Sequence, residues 1–310
     1  MSNPLVSVLM PAYNSESYLA DSIDSILNQT YANIELIIFD DGSSDGTRGV
    51  INAYSDPRIV KILSDQNIGV VRARNQMIDR AQGKYIALMD ADDIADPSRL
   101  QKQVLTLEAG ACDLCGSAQW ILDEVTGAIK KSKDNFSDAD LRSLLTVYCT
   151  LCNSSVMGRA EIFKTFKYDL SMPMSEDYFL WTRMASAGYV FKNIQERLIT
   201  YRVHPAQITA THLESSKEST KVVQQLYLKS LGISSELVPR QMGLQQRFRN
   251  GLSLLWKLNL QFPGMSCNAN YEIYARFQFK QRGIWALPAK FERAFIALMA
   301  SLISLLAKIF

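Results

Sequence analysis

The sequence predicts an α/β fold, a doubly wound and mainly parallel sheet with helices on both faces, followed by a helical tail. Three observations carry that prediction. Over the first hundred residues, short apolar runs alternate with segments of helical periodicity. Several of those runs end in polar or acidic turns, where open parallel sheets gather their ligands. Past about residue 208 the strand signals stop and only helical ones remain.

The elements follow in order. Leu5–Met10 is an apolar strand closed by Pro11, and Asn14 is placed to cap a helix with the stripe Leu19, Ile23, Ile26 and Leu27. Ile34–Phe39 is a second strand, and Asp40-Asp41-Gly42-Ser43-Ser44-Asp45-Gly46 is the polar loop behind it. A helix over 47–54, a strand over 59–63, a helix over 70–81 and a strand over 85–89 complete the alternation. Asp96-Pro97 opens a helix to about Glu108, with proline in the first turn where its missing N–H costs nothing. A strand is expected over 113–122, a helix over 137–147, an aromatic-rich helix over 178–187 closed by Gly188, and a late strand over 197–203. Asn153-Ser154-Ser155-Val156-Met157 reads as strand-like.

The 310 residues, 47% hydrophobic and 21% charged, suffice for one large α/β domain and a smaller appendage. The expected division is 1–210 and 211–310. Charge is uneven: residues 240–310 carry ten Lys or Arg against Glu272 and Glu292, a net of +8, which leaves −6 for the rest. That asymmetry suits an anionic surface, and with no recognised nucleic-acid module it points to lipid. Met1–Asn3 lacks a basic leader and Leu5–Met10 is too short for a signal core, so a cytoplasmic protein with reduced thiols is expected. Two Cys-x-x-Cys pairs, Cys112/Cys115 and Cys149/Cys152, raise zinc as an alternative to small buried hydrophobes. If Cys112 and Cys115 both lie in a strand, their spacing puts them on opposite faces.

Tyr85-Ile86-Ala87-Leu88-Met89-Asp90-Ala91-Asp92-Asp93 is the most telling segment. Three acids against an apolar run are costly unless a cation joins them. On an extended backbone Asp90 and Asp92 point the same way and can share a partner, such as Mg2+ or Mn2+ bridging to phosphates. The alternative is a solvated acidic turn. Downstream, Glu176-Asp177 is either a catalytic acid pair or an ordinary acidic helix N-terminus.

Val6-Ser7-Val8-Leu9-Met10-Pro11-Ala12-Tyr13-Asn14, Asp40-Asp41-Gly42-Ser43, Ala73-Arg74-Asn75, Asp90-Ala91-Asp92-Asp93, Glu176-Asp177 and Tyr201-Arg202-Val203-His204 stand in one order. In that order, over about residues 4–208, they resemble family 2 glycosyltransferases of the GT-A fold, of the bacterial surface-polysaccharide type. The resemblance implies inverting transfer of a sugar from a nucleotide-sugar donor, UDP-linked or alternatively dTDP-linked, to a hydroxyl of a glycan or lipid-linked acceptor. It implies that Pro11 and Tyr13 line the base pocket, that Asp41 bonds the base and that Asp90 contacts ribose or donor. Arg74 reaches the diphosphate or else pairs with a surface acid. Asp92 binds the divalent cation, Mn2+ or Mg2+, and His204 joins it or is satisfied locally. Asp177 is the base and Glu176 its helper. Asp40 and Asn75 read as structural, and Asp93 as ambiguous.

Other classes leave marks that are missing. A nucleotidyltransferase would show a glycine-rich basic loop near the first strand, where Pro11-Ala12-Tyr13-Asn14 stands. A non-catalytic carbohydrate-binding scaffold would have lost Asp92 or Asp177. The tail, with Arg276, Phe277, Phe279, Lys280, Arg282, Trp285, Lys290 and Arg293 ahead of Ala294–Phe310, is charged in its last seventeen residues only at Lys308. Seventeen sits at the lower limit of the ~17–25 residues of a span, so helices lying on the inner face of the plasma membrane are expected, with a short span or a tail packed on the body as alternatives.

Overall fold

The structure is a computed structural model that describes residues 3–132, 136–172, 174–207, 211–234, 244–266, 268–270 and 272–273. The expected membrane segment, from Arg276 through Trp285 to Phe310, lies outside the described residues, as do Pro173 and the break at 235–239.

The strands are β1 (Val6–Ala12), β2 (Ile34–Asp41), β3 (Ile59–Ser64), β4 (Tyr85–Leu88), β5 (Ile94–Ala95), β6 (Leu114–Asp123), β7 (Ile129–Lys131), β8 (Met157–Arg159) and β9 (Phe191–Val203). The helices are α1 (Leu19–Leu27), α2 (Thr47–Ala53), α3 (Val70–Arg80), α4 (Arg99–Glu108), α5 (Asp138–Leu144), α6 (Ala160–Phe166), α7 (Glu176–Ser186), α8 (Leu213–Ser230) and α9 (Leu244–Gln261). They build one sheet in the order β3-β2-β1-β4-β8-β6-β9-β5, with β7 paired to β6. β1, β2, β3, β4, β6 and β9 point one way, and β5, β7 and β8 the other. The fold is α/β of the GT-A kind.

Strand alternation explains the two cores. Val6, Val8, Met10, Leu36 and Ile38 face one side and pack with Leu19, Ile23 and Ile26 of α1 and Leu100, Val104 and Leu107 of α4. Leu9, Ile37, Phe39, Ile86 and Leu88 face the other side, against Val71, Met77 and Ile78 of α3 and Tyr178, Trp181 and Met184 of α7. A strand buried on both faces reads as a continuous apolar run, which is why β1, β2 and β4 stood out.

The same core takes in the C-terminal helices as far as they are described. Val223, Tyr227 and Leu228 of α8 and Leu254, Leu255 and Leu258 of α9 join it, as does Ile273. Tyr227 Oη donates to Arg142 O (2.9 Å), and Ser266 N–H to the Asp140 carboxylate (2.6 Å). Among the described residues no helix is long and apolar enough to cross a membrane.

Three local expectations need correction. Asn14 does not cap α1: it sits at φ 48° and spends its side chain on the next loop, while Tyr18 occupies the cap position. Residues Asn153–Ser155 form a 3-10 turn, and only Met157–Arg159 pairs as a strand. Cys112 precedes β6, so the opposite-face argument fails. Both thiols are buried, and a side-chain hydrogen bond joins them; it lowers Cys112, whereas burial first and then Cys112 raise Cys115 well above the usual thiol range.

Candidate active site

The site is built where β1, β2 and β4 end, and each turn there is tied to its neighbour. Pro11 lies near the end of β1 and Tyr13 just beyond it, with its ring 48% exposed at the rim. Asn14 N–H donates to Ser43 Oγ (3.0 Å), and Ser44 N–H donates back to Asn14 Oδ1 (2.9 Å). The loop after β2 is pressed on the loop after β3: Gly42 holds φ 71°, and a Cβ there would lie 2.5 Å from the Gln66 carbonyl carbon. Only glycine fits such a position without strain.

Asp40 and Asp41 have separate duties. Asp40 is fully buried, accepts from Ser43 N–H (3.0 Å) and pairs with Arg48 Nε (2.8 Å), a structural role. Asp41 accepts from Ile68 N–H (2.7 Å) and Gly69 N–H (3.0 Å), so it pins the turn that launches α3. Burial raises its carboxyl, with those two amides opposing. Each oxygen keeps a second lone pair, so a base N–H can still be accepted.

After Leu88 the chain turns. Asp93 N–H reaches back to Asp90 O (3.4 Å), and the acids do not lie on extended backbone. Asp90 and Asp92 therefore sit on a turn, not on the extended backbone that the sequence suggested, and engage different side chains. The Asp90 carboxylate receives Arg74 Nη2 (2.8 Å), Asn153 Nδ2 (3.0 Å) and Ser154 Oγ (2.9 Å). Asp92 Oδ2 meets His204 Nε2 at 3.1 Å, and His204 lies against the Tyr18 ring with centroids 4.5 Å apart. Burial, then the Asp90 charge, raises the Asp92 carboxyl; His204 opposes.

Asp93, ambiguous in the sequence, clamps the turn to β9 by accepting from Arg202 N–H (3.0 Å). That bond sets the register that brings His204 to Asp92. Beneath the turn Arg99 is fully buried, donating to Leu88 O (2.8 Å) and to Gln103 Oε1 (3.0 Å), and burial lowers it to about 10.

Arg74 carries the contact to the other half. Buried on α3, it pairs with Asp90 through Nη2 and with Glu176 Oε1 through Nη1 (2.5 Å), and its guanidinium stacks 5.3 Å from the Tyr168 ring centroid. Neither acid is a surface acid, which corrects that expectation. Asn75, one residue on, holds Tyr168 by its backbone: Nδ2 to Tyr168 O (2.8 Å) and Tyr168 N–H to Oδ1 (2.9 Å). Tyr168 Oη in turn donates to Asn153 Oδ1 (3.2 Å).

Glu176 and Asp177 form the first turn of α7, behind Ser175 at φ 60°. Asp177 Oδ1 accepts from its neighbour's amide, Tyr178 N–H (2.6 Å), and Oδ2 lies 4.0 Å from Cys149 Sγ. Burial first and then Glu176 push the Asp177 carboxyl up to about 7, against the pull of Arg74. A helix N-terminus alone would favour the charged form; here burial wins.

The predicted residues thus fall into three groups: Pro11, Tyr13 and Asp41 at the ends of β1 and β2; Asp90, Arg74, Glu176 and Asp177 in one chain of contacts; Asp92 with His204. Asn153, Ser154, Tyr168, Cys149, Tyr18 and Arg99 were not anticipated in these roles. Asn153-Ser154-Ser155 did signal itself as a polar triplet before an apolar strand, and in the structure Asn153 and Ser154 bond Asp90.

Among the described residues no group of three or more His, Cys, Asp or Glu side chains could hold a metal ion by itself. Asp92 and His204 fit a divalent cation as a converging carboxylate and imidazole, a pair whose remaining positions would be filled by phosphate oxygens and water.

A GT-A sheet with paired acids at its carboxyl edge defines a protein of the glycosyltransferase class. Residues 7–166 match glycosyl transferase family 2, and the chain belongs to that family. It is 33% identical to an uncharacterized glycosyltransferase of Haemophilus influenzae over 252 residues, 76% of this chain and 78% of that one. It is 32% identical to the Escherichia coli UDP-Glc:alpha-D-GlcNAc-diphosphoundecaprenol beta-1,3-glucosyltransferase WfaP, over 74% of this chain and 88% of the relative. The fold is also that of S. aureus TarS 1-349 in complex with UDP-GlcNAc, with a TM-score of 0.58 at 13% identity over 96% of this chain and 90% of that one. The mannosyltransferase PcManGT from Pyrobaculum calidifontis, in complex with GDP-Man and Mn2+, gives 0.54 at 15% identity over 98% and 88%.

Proposed function

We propose that this glycosyltransferase moves a sugar, with inversion, from a UDP-linked donor to a hydroxyl of a lipid-linked glycan in cell-surface polysaccharide synthesis. The observation that carries the reading is the contact chain Asp90–Arg74–Glu176 ending beside Asp177, a carboxyl raised to about 7. It sets a group able to take a proton near neutral pH next to the donor-side acids.

The residues divide the work. Tyr13 offers its exposed ring as a platform for the base beside Pro11, and Asp41 accepts a base N–H. Asp90, neutralised by Arg74 and bonded by Asn153 and Ser154, keeps the turn in shape for the donor. Asp92 and His204 would hold the divalent cation, which offsets the charge that grows on the leaving diphosphate. Asp177 removes the acceptor's hydroxyl proton as its oxygen bonds to the anomeric carbon. The bond from that carbon to the phosphate oxygen breaks, and the nucleoside diphosphate leaves with the electron pair. A single displacement inverts the centre. The names of WfaP and of the TarS complex support a UDP-linked donor, and WfaP's name supports a lipid-diphosphate acceptor.

Single-turnover transfer by Asp177→Asn, alongside donor titration, tests the assignment. Transfer should be lost with donor affinity retained; a variant that keeps most of its turnover would move the base elsewhere.

A further inference from the structure

We propose that the β6–β7 hairpin is a membrane-docking surface that lies on an anionic phospholipid bilayer, beside the His204 end of the site. The surface comprises residues 120–131 together with Arg197, apart from the C-terminal tail and from the residues assigned to the site.

In the hairpin Trp120 stands opposite Lys131, and Leu122 opposite Ile129. Opposed side chains share a face of the sheet. Trp120 lies between two cations on that face: Lys131 Nζ is 5.6 Å and the Arg197 guanidinium carbon 5.2 Å from its ring centroid. The ring is 36% exposed, Ile129 63% and Val125, at the tip, 73%. Single exposed hydrophobes are ordinary on a protein surface. An indole flanked by two cations, with two aliphatic side chains at the same tip, is the composition that partitions to a headgroup boundary.

The tip is held firmly. Asp123 N–H bonds Ala128 O (2.9 Å), Gly127 N–H bonds Asp123 O (2.7 Å), and Gly127 takes φ 68°. Asp123 Oδ1 accepts from Val125 N–H (3.0 Å) and Thr126 N–H (2.9 Å), an Asx turn that fixes the approach of Val125. Of the acids described nearby, Glu124 pairs with Arg202 (3.0 Å) and Glu196 with Lys102, while Asp123 lies on the face opposite the indole, with Lys130. Lys130 partly offsets Asp123, and Lys131 adds a cation on the indole face. The indole face itself presents two cations, Lys131 and Arg197, complementary to an anionic leaflet.

The hairpin continues the edge that carries the site. Asp123 pairs with Val203 across β6 and β9, and Glu124 N–H bonds Val203 O (3.0 Å) one residue before His204. A soluble anionic glycan would use Lys130 and Lys131 and leave Val125 and Ile129 in water, so the aliphatic tip favours lipid. That docking would present the site to a lipid-carried acceptor rests on the function proposed above; the docking itself does not.

The test uses the full chain carrying Trp285→Phe, with phosphatidylglycerol-containing vesicles against pure phosphatidylcholine at low salt. Lipids brominated in their acyl chains should quench Trp120, and Trp120→Phe should abolish that quench. Lys131→Gln should weaken vesicle affinity about fivefold, Lys130→Gln, on the opposite face, less, and Val125→Ser with Ile129→Ser should weaken it further. No binding, binding without Trp120 quenching, affinity indifferent to these substitutions, or equal charge-dependence on dextran sulfate with no vesicle binding would each overturn the proposal. Donor hydrolysis is the separate readout. The hairpin variants should keep it, and its absence from the unsubstituted enzyme would count against the proposed function while leaving the quenching result standing.

Discussion

The half of this site proposed to hold the donor and the half proposed to serve the acceptor are built by different means. At the ends of β1 and β2, side chains grip backbone amides: Asn14 holds Ser44, Asp41 holds Ile68 and Gly69, and Asp40 holds Ser43. Most of these bonds tie one turn to its spatial neighbour along the sheet edge, no more than 30 residues away in sequence. The acceptor half depends on longer reach. Glu176 meets the donor half through Arg74, 102 residues away in sequence, and Asp177 owes its raised carboxyl chiefly to burial. Local amide bonds make a rigid cradle, whereas a buried ion cluster makes a tunable one. Substitutions in the two halves should therefore fail differently.

The largest effect is expected at the base. Asp177→Asn should lower kcat by about 10²–10⁴, the usual share of a general base, with donor affinity nearly unchanged. Next comes the cation. Chelation should abolish transfer and Mn2+ or Mg2+ restore it, and Asp92→Ala should weaken donor binding only when metal is present. Full activity under verified chelation would shift leaving-group stabilisation to cationic side chains, Arg202 first.

Arg74→Gln should follow. Removing one member of a buried ion cluster leaves Asp90 and Glu176 uncompensated and costs about 3–5 kcal/mol of stability, measurable by denaturant unfolding. By contrast, Asn14→Ala removes an exposed acceptor shared by Ser44 N–H and Oγ and should cost only about 0.5–1.5 kcal/mol. Equal losses would erase the distinction between the halves.

The smallest effect concerns pH and stability. Asp177 has a folded-state pKa near 7, above the ordinary carboxylate value. Its stability contribution is fully present below the unfolded value and is lost as pH rises to about 7. Asn cannot ionise, so Asp177→Asn should melt higher than the unsubstituted enzyme at pH 8, by a few °C, with a smaller gain at pH 5. A gain that ignores pH would mean that Asp177 is not held protonated by its surroundings.

The donor half was largely legible in the sequence because β1, β2 and β4 are buried on both faces and end in acids or turn residues. The structural part of Asp40 was foreseen, whereas the grip of Asp41 on the amides of Ile68 and Gly69 was not. Less was visible where long range decides. Nothing near Arg74 announces Glu176, and the polar triplet Asn153–Ser155 gave no hint that it bonds Asp90, 63 and 64 residues away. The extended reading of Asp90–Asp92 failed because the strand ends at Leu88 and Asp93 is drawn to β9. Only Arg197–Val203 of the thirteen-residue β9 was foreseen, since the exposed Lys192, Gln195 and Glu196 and register shifts against β6 break the alternation. Three-residue β7 and β8 carry too little pattern to stand out.

The proposed base, Asp177, is raised by burial and by Glu176 and held down by Arg74, which also pairs with Asp90. The most direct test of that balance is the pH dependence of kcat for transfer, measured for the unsubstituted enzyme and for Arg74→Gln. Activity should rise through an apparent pKa near 7 in the first, as Asp177 loses its proton. In the second the rise should move to higher pH, because Glu176 and Asp177 then face each other without the cation and one keeps its proton longer. An acid limb that stays in place after Arg74→Gln would contradict the account.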